Sequence, residues 1–286
     1  MNRCLWFWDH SSSGKNLFFR IINCKLSKMT VLYPSPVFGP VHSRRLGVSL
    51  GVNLMPADGK LCSFDCIYCE CGFNKDGRTG HRRPTRQEVH DTLRSTLLSM
   101  KEKGPHPDVI TFAGNGEPTL HPDFPVIVDD VRGLRDELFP ECKISVLSNA
   151  TQILDQRVFD ALLKVDNNIL KLDTVSDDYI RMVDKPGGSS YDVRKIVERM
   201  REFDGRCIIQ TMFMNGTHEG VDVSNVGDEF VIPWLEAVKS VGPSCVMIYT
   251  IDRETPSPLL RKATHEELDS IADKVRAEGI ACQVSY

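Results

Sequence analysis

The chain predicts an α/β fold with a mostly parallel sheet, and three observations lead there. Short runs alternate apolar with small or polar residues. Longer stretches between them carry a helical period, two of them opened by Thr-x-x-Glu. The two kinds of segment take turns from Leu46 to the C-terminus, the order that βαβ units impose. At 286 residues the chain has the length of one large barrel-type domain.

Each element follows from period and punctuation. Leu46 to Leu54 predicts the first strand: Leu46, Val48, Leu50, Val52 and Leu54 are apolar, and Gly47, Ser49, Gly51 and Asn53 are small or polar. Such a strand suits a barrel wall that packs helices outside and leaves room inside. Thr85-Arg-Gln-Glu88 reads as a capping box for a helix over Gln87 to Lys103, with Val89, Leu93, Leu97 and Met100 as its stripe. Asp108 to Ala113 is the second strand. Phe124 to Leu138 is the second helix, turned inward on Ile127, Val128, Val131 and Leu134. Lys143 to Ser148 is the third strand, Asp155 to Lys164 a short helix, and Ile169 to Asp173 the fourth strand. A helix over Asp192 to Phe203, a strand over Cys207 to Met214, a helix over Glu229 to Ser240 and a strand over Cys245 to Ile251 follow. Thr264-His-Glu-Glu267 caps a last helix running to about Glu278, and Ile280 to Val284 adds a final strand. Pro186 to Ser190 and Gly216 to Gly227 read as loops, either lids or plain surface.

The formal net charge of −4 gives no global pull toward nucleic acid or anionic lipid. No apolar run reaches the ~18–20 residues that span a bilayer. With ten cysteines and no legible secretory signal, the expectation is a cytoplasmic protein without a membrane partner. Residues 1–28 hold Trp6, Phe7, Trp8, Phe18 and Phe19 but connect to nothing downstream. They read as a partner-binding segment or as an overextended start with Met29 the initiator. The domain is therefore placed at 31–286, with 1–30 as an extension.

Cys62, Cys66 and Cys69 stand in the spacing C-x3-C-x2-C, with Tyr68 just before the last. Three thiolates on one loop can hold three irons of a cubane cluster and leave the fourth iron open for chemistry. The loop follows the first strand at its C-terminal end, where barrels carry their active sites. A structural zinc site competes, with Cys71 as fourth ligand. Structural zinc usually ties two separated pairs together, whereas these four cysteines lie within ten residues.

The cysteine spacing and its aromatic resemble the signature of the radical S-adenosylmethionine (SAM) superfamily. That resemblance implies a [4Fe–4S] cluster on Cys62, Cys66 and Cys69, SAM chelating the free iron, and Tyr68 near the adenine. It also implies a partial (β/α)6 TIM-like barrel. Gly114-Asn115-Gly116-Glu117 resembles the family's glycine–glutamate motif, which takes the methionyl ammonium, although Asn115 separates two glycines that the family places side by side. Ser148, Asn149 and Thr151 fall where the family bonds the ribose or the SAM carboxylate; helix capping is the plainer reading.

Lys171 and Asp173 put two charges on one face of a buried strand, as a structural ion pair or as groups that handle SAM or substrate. Gln210 and Met212 are substrate-facing candidates that a packed core would fit nearly as well. Tyr249, Asp252 and Arg253 end the sixth strand, where the family often contacts adenine. His121 reads as a turn residue. Ser43-Arg44-Arg45 and the stretch Arg78 to Arg83, with Arg86, bring positive charge near the cysteine loop. That charge could receive a substrate anion or the acidic face of a flavodoxin or ferredoxin, or simply be solvated.

The chain also resembles a group of wyosine-synthase-like iron–sulfur oxidoreductases. Cys142, Cys207, Cys245 and Cys282 are single and far apart, so no second cluster is legible. Three functions stay open: SAM-dependent radical chemistry on a small molecule, the same chemistry on RNA or a peptide, and a non-catalytic metal-binding scaffold.

Overall fold

The computed structural model describes residues 31–43, 47–76, 82–188 and 190–286. β1 (Val37–Ser43) folds back antiparallel on β2 (Gly47–Val52). The chain then alternates through α1 (Arg86–Lys103), β3 (Val109–Phe112), α2 (Phe124–Leu138), β4 (Lys143–Ser148), α3 (Gln156–Leu162) and β5 (Asn167–Lys171). One turn of α4 (Asp177–Tyr179) runs into a π-type turn over Ile180–Asp184, followed by α5 (Val193–Arg201) and β6 (Ile208–Met212). A small antiparallel sheet of β7 (Met214–His218), β8 (Val221–Asp222) and β10 (Leu260–Lys262) stands apart. α6 (Asp228–Val241), β9 (Cys245–Tyr249), α7 (His265–Ala277) and β11 (Cys282–Ser285) complete the order.

The main sheet has eight strands in the order β1-β2-β3-β4-β5-β6-β9-β11. Every pairing from β2 to β11 is parallel. β1 and β11 stand at opposite ends and do not pair, so the architecture is a partial (β/α) barrel, open on one side.

The side-chain period decides which way the sheet faces. Leu50, Val52 and Leu54 are at most 1% exposed and join the core that holds Val89, Leu93, Leu97 and Met100 of α1. Burying such side chains is worth roughly 1.5–3 kcal/mol each. A one-residue slip of β2 would exchange them for Ser49, Gly51 and Asn53, so the register is firmly set. On the inner face Ser49 Oγ and Thr111 Oγ1 share a hydrogen bond of 2.9 Å. Both expected capping boxes are present, at Thr85/Glu88 and Thr264/Glu267.

The departures from expectation have local causes. β1 is not announced by its period, because Gly39 and Pro40 read as breakers; it is an edge strand whose register shifts between Phe38 and Val41. The run from Cys207 to Met214 is split. Asn225 Nδ2 donates to Met212 O and its Oδ1 accepts from Met214 N–H, both at 2.8 Å, which turns the chain into β7. The stretch Gly216 to Gly227 thus carries a hairpin rather than a bare loop. β5 ends at Lys171, so Asp173 stands beyond the strand.

Candidate active site

The cysteine loop leaves the C-terminal end of β2 and is stitched down on two sides. On one side Leu61 N–H donates to Asn115 O at 2.9 Å and Glu117 N–H to Leu61 O at 3.2 Å. This approach is why position 116 is a glycine, while Gly114 leaves room for the Asn53 side chain, 2.7 Å from where its Cβ would stand. Gly114 and Gly116 have φ of +125° and +138°, and a Cβ on Gly116 would sit 1.9 Å from Leu61 O. On the other side the π turn receives the loop: Asp65 N–H donates to Asp184 O and Ile67 N–H to Val183 O, each at 2.9 Å. Gly187 N–H adds a bond to Ser63 O at 2.7 Å, so the start of the Pro186 loop rests on the cysteine loop; Ser189 lies outside the described residues. Asn74 braces the loop from within. Its Oδ1 accepts from Cys62 N–H at 2.9 Å, and its Nδ2 donates to Cys62 O and Phe64 O at 3.1 Å.

Cys62, Cys66, Cys69 and Cys71 are all free thiols. Cys62 is primed to act as a thiolate acceptor: Phe64 N–H and Asn149 Nδ2 both point at its sulfur from 3.4 Å. Burial, with Glu117 nearby, nevertheless pushes its pKa up to about 12, and burial holds Cys66 well above the usual thiol range. Cys69 is the acidic member. The Cys71 thiol donates to it and Lys60 adds positive charge, bringing it to about 6, while Cys71 moves up in return. Among the described residues no three His, Cys, Asp or Glu side chains converge on one ion. Three thiols spread along a curled loop suit a polynuclear cluster with one sulfur per iron better than a tetrahedral zinc.

The loop looks onto a cavity of about 520 Å³ at the open end of the barrel. Cys62, Cys69 and Cys71 line it from the loop, and Gly114, Gly116 and Glu117 from the end of β3. Ser148, Asn149, Lys171 and Gln210 line it from the following strands. Glu117 is 2% exposed and takes four hydrogen bonds. Thr119 N–H, Thr119 Oγ1 and Ser148 Oγ donate to Oε1 at 3.0, 2.5 and 2.9 Å, and Asn149 N–H donates to Oε2 at 2.6 Å. Burial raises its pKa against these bonds. The carboxylate therefore also caps the 3-10 turn Pro118–Leu120.

Three of the sequence-nominated residues are engaged by other groups of the chain. Asn115 is fully buried, and its amide holds the strap before β1 by accepting from Tyr33 N–H and donating to Tyr33 O and Pro56 O, all at 2.8 Å. Tyr68 and Asp173 are joined in one hydrogen-bonded group with the Lys171 ammonium, which lines the cavity. Asp184, which the sequence reading did not single out, completes that group at 2.8 Å from Lys171 Nζ. Burial works against the charge on Lys171, but Asp173 and Asp184 hold its pKa well above the ordinary value. Burial also pushes Asp184 up to about 6.

Met212 belongs to a second apolar cluster with Ile67 and Val183 rather than to the cavity. Arg253 lines the cavity and ties its rim: Nη1 donates to Glu70 Oε2 at 2.7 Å and to Tyr33 Oη at 2.9 Å. His121 braces a turn, with Nε2 bonding Pro84 O at 2.8 Å. Of the basic stretches, Arg44, Arg45 and Arg78 lie outside the described residues. Arg82 and Arg86 are paired with Glu88 and Asp130 at 2.6 Å.

A cysteine loop at the C-terminal rim of an open parallel barrel, sharing a cavity with a buried carboxylate, defines a cofactor-dependent α/β scaffold. Residues 58–221 match the Radical SAM superfamily, and the chain belongs to it. It is 29% identical over 237 residues to a Brachyspira hyodysenteriae protein named GTPase Obg, covering 82% of this chain and 32% of that protein. It is 31% identical over 222 residues to a UPF0026 protein of Helicobacter pylori, covering 76% of this chain and 66% of that one. The chain thus spans about a third of the first relative and just under two thirds of the second. Among solved structures it is similar to a radical SAM methyltransferase from Sphaerobacter thermophilus, with TM-score 0.63, 18% identity, and coverage of 83% of this chain and 66% of that one. Streptococcus suis SuiB bound to S-adenosylmethionine matches with TM-score 0.58 and 14% identity over 82% of this chain and 50% of that one. At these identities the two structures speak for the fold. No helix among the described residues is long and apolar enough to cross a membrane.

Proposed function

We propose that this chain is a SAM-dependent radical enzyme whose Cys62, Cys66 and Cys69 hold a [4Fe–4S] cluster with one iron left for SAM. The observation that carries the reading is the meeting of the cysteine loop and the buried Glu117 carboxylate on one cavity wall. When bound, cluster and SAM supply one-electron cleavage of the sulfonium to methionine and a 5′-deoxyadenosyl radical, which takes a hydrogen atom from the substrate.

The chain's own residues bind, orient and exclude water. Glu117 offers a carboxylate for the methionyl ammonium, with Oε2 fixed by Asn149 N–H. Ser148 and Asn149 stand beside it with hydroxyl and amide groups for the SAM carboxylate or ribose. Lys171, held by two carboxylates, and Gln210 on the next strand form the polar floor, and the Ser49/Thr111 pair stands on the far wall. Tyr68 and Asp173 support that floor by fixing the Lys171 ammonium. A cavity of about 520 Å³ that must also admit SAM favours a small-molecule substrate. The electron comes from a flavodoxin- or ferredoxin-type donor, and the working place is the cytoplasm.

Anaerobic reconstitution should give ~4 iron per chain. Addition of dithionite and SAM should then yield 5′-deoxyadenosine, and Cys62→Ala should yield none. A chain that takes up zinc instead, or leaves SAM intact under reduction, would point to the scaffold reading.

A further inference from the structure

We infer that Lys60 raises the reduction potential of the cluster, its buried ammonium easing the arrival of the electron. The inference rests on the cluster assignment proposed above. Lys60 is 1% exposed, the most buried lysine or arginine among the described residues. Its Nζ donates to Gly72 O at 3.2 Å and to Asp65 Oδ1 at 3.3 Å. Gly72 N–H in turn donates to Cys69 O at 3.0 Å, which closes the curl of chain around the ammonium.

A fully buried ammonium is costly unless its charge is compensated. Asp65 compensates only in part, because its side chain is 30% exposed and stands 3.3 Å away. Gly72 belongs to the same curl of chain as Cys62, Cys66 and Cys69, so the field of the ammonium reaches into that curl. The same field acts on a cluster held by those sulfurs. Reduction adds one negative charge to the loop, and a fixed positive charge inside the same curl favours that state. At the dielectric of a buried site this changes a one-electron equilibrium by about tenfold or more. Lys60 is thus an electrostatic residue that braces the ligand loop through Gly72 O and Asp65 rather than touching SAM or substrate.

The test is an anaerobic redox titration of the reconstituted chain, following the reduced cluster by electron paramagnetic resonance, with iron counted in each sample. Lys60→Met should make the cluster about tenfold harder to reduce, a midpoint lower by ~59 mV for a one-electron couple. Asp65→Asn keeps an oxygen for Asn74 N–H but removes the opposing charge, so its midpoint should move the other way. If Lys60→Met fails to hold iron, Asp65→Asn decides alone. A loaded wild type whose midpoint stays put in the loaded variants, or an Asp65→Asn shift to lower potential, overturns this inference and leaves the proposed function standing. A wild-type chain that loads no iron–sulfur cluster overturns both.

Discussion

Replacing Gly116 by alanine separates two reasons for a glycine at the end of β3: access for a ligand, or approach of the cysteine loop. Gly116 has φ of +138°, where a side chain is strained by roughly 1–3 kcal/mol. The added Cβ would lie 1.9 Å from Leu61 O and 2.5 Å from Leu61 C. Both atoms are backbone, so no rotamer change relieves the clash. Leu61 would have to withdraw, and with it would go the 2.9 Å bond to Asn115 O and the 3.2 Å bond from Glu117 N–H. Each bond is worth about 1 kcal/mol net. The substitution should therefore destabilise the chain by about 3–5 kcal/mol, a large share of the ~5–15 kcal/mol that holds a domain together. With a urea slope of roughly 1–3 kcal/mol/M, the midpoint falls by at least about 1 M. Iron uptake should fall with it, since Leu61 precedes Cys62. Gly133 is the control, exposed in α2 with nothing within 4 Å of its Cβ position, so Gly133→Ala should stabilise by ~0.5–1 kcal/mol. A Gly116→Ala chain that unfolds within about 0.3 M urea of wild type and loads its full iron would refute the argument.

Three further outcomes follow from the site. Glu117→Gln sets an amide NH₂ against either Asn149 N–H or the donors at Oε1, costing about 1–3 kcal/mol of stability. It should also weaken SAM binding tenfold or more by equilibrium titration at unchanged iron content, and unaltered SAM affinity would remove Glu117 from the cofactor site. Cys71→Ala should keep the iron content of wild type while Cys69→Ala loses it; equal losses would revive a four-thiolate site. His121 has its pKa lowered from 6.5 by burial, and Asp123 N–H donates to its Nδ1 at 3.1 Å. A base depressed in the folded state gives stability that is full above its unfolded value and lost as pH falls through the folded one. Wild type should therefore lose more stability than His121→Asn between about pH 7 and pH 5, measured as urea midpoints, and parallel pH slopes would contradict this.

What the sequence makes legible is what neighbouring residues decide. The capping boxes at Thr85 and Thr264 join groups three residues apart, and both form. The face of β2 is set by its own alternation. β1 hides because Gly39 and Pro40 break the period of a strand that exists through pairing with β2. β7 hides because the Asn225 amide, more than ten residues away, decides where the fifth run turns. The same division runs through the site. The cysteine spacing is local, and so are the glycines at 114 and 116. That Asn115 would hold the strap at Tyr33 is not local, since its partner stands 82 residues back. Lys171 and Asp173 draw notice as charges on a buried strand, but Asp184 arrives from the π turn and no spacing announces it.

The placement of buried charge ties these pieces into one argument. Lys60, Glu117, Asp173 and Asp184 are each at most 4% exposed, and they are the buried Lys, Arg, Asp and Glu residues among those described. A fold under selection for stability alone would scatter or shed such groups, because each desolvated charge costs several kcal/mol before it is paired. Here all four gather around one loop. Lys60 bonds the loop carbonyl Gly72 O, Glu117 bonds the backbone of Asn149 beside Cys62, and Asp173 and Asp184 hold Lys171 over the Tyr68 ring. The main apolar cluster carries no charge: Leu50, Val52, Leu93, Ile110, Phe112 and Val146 fill it between the sheet and the helices. Among the described residues the chain thus gathers its desolvated Lys, Asp and Glu side chains around the cysteine loop, the pattern expected when a site is built to hold a charged group against its own stability.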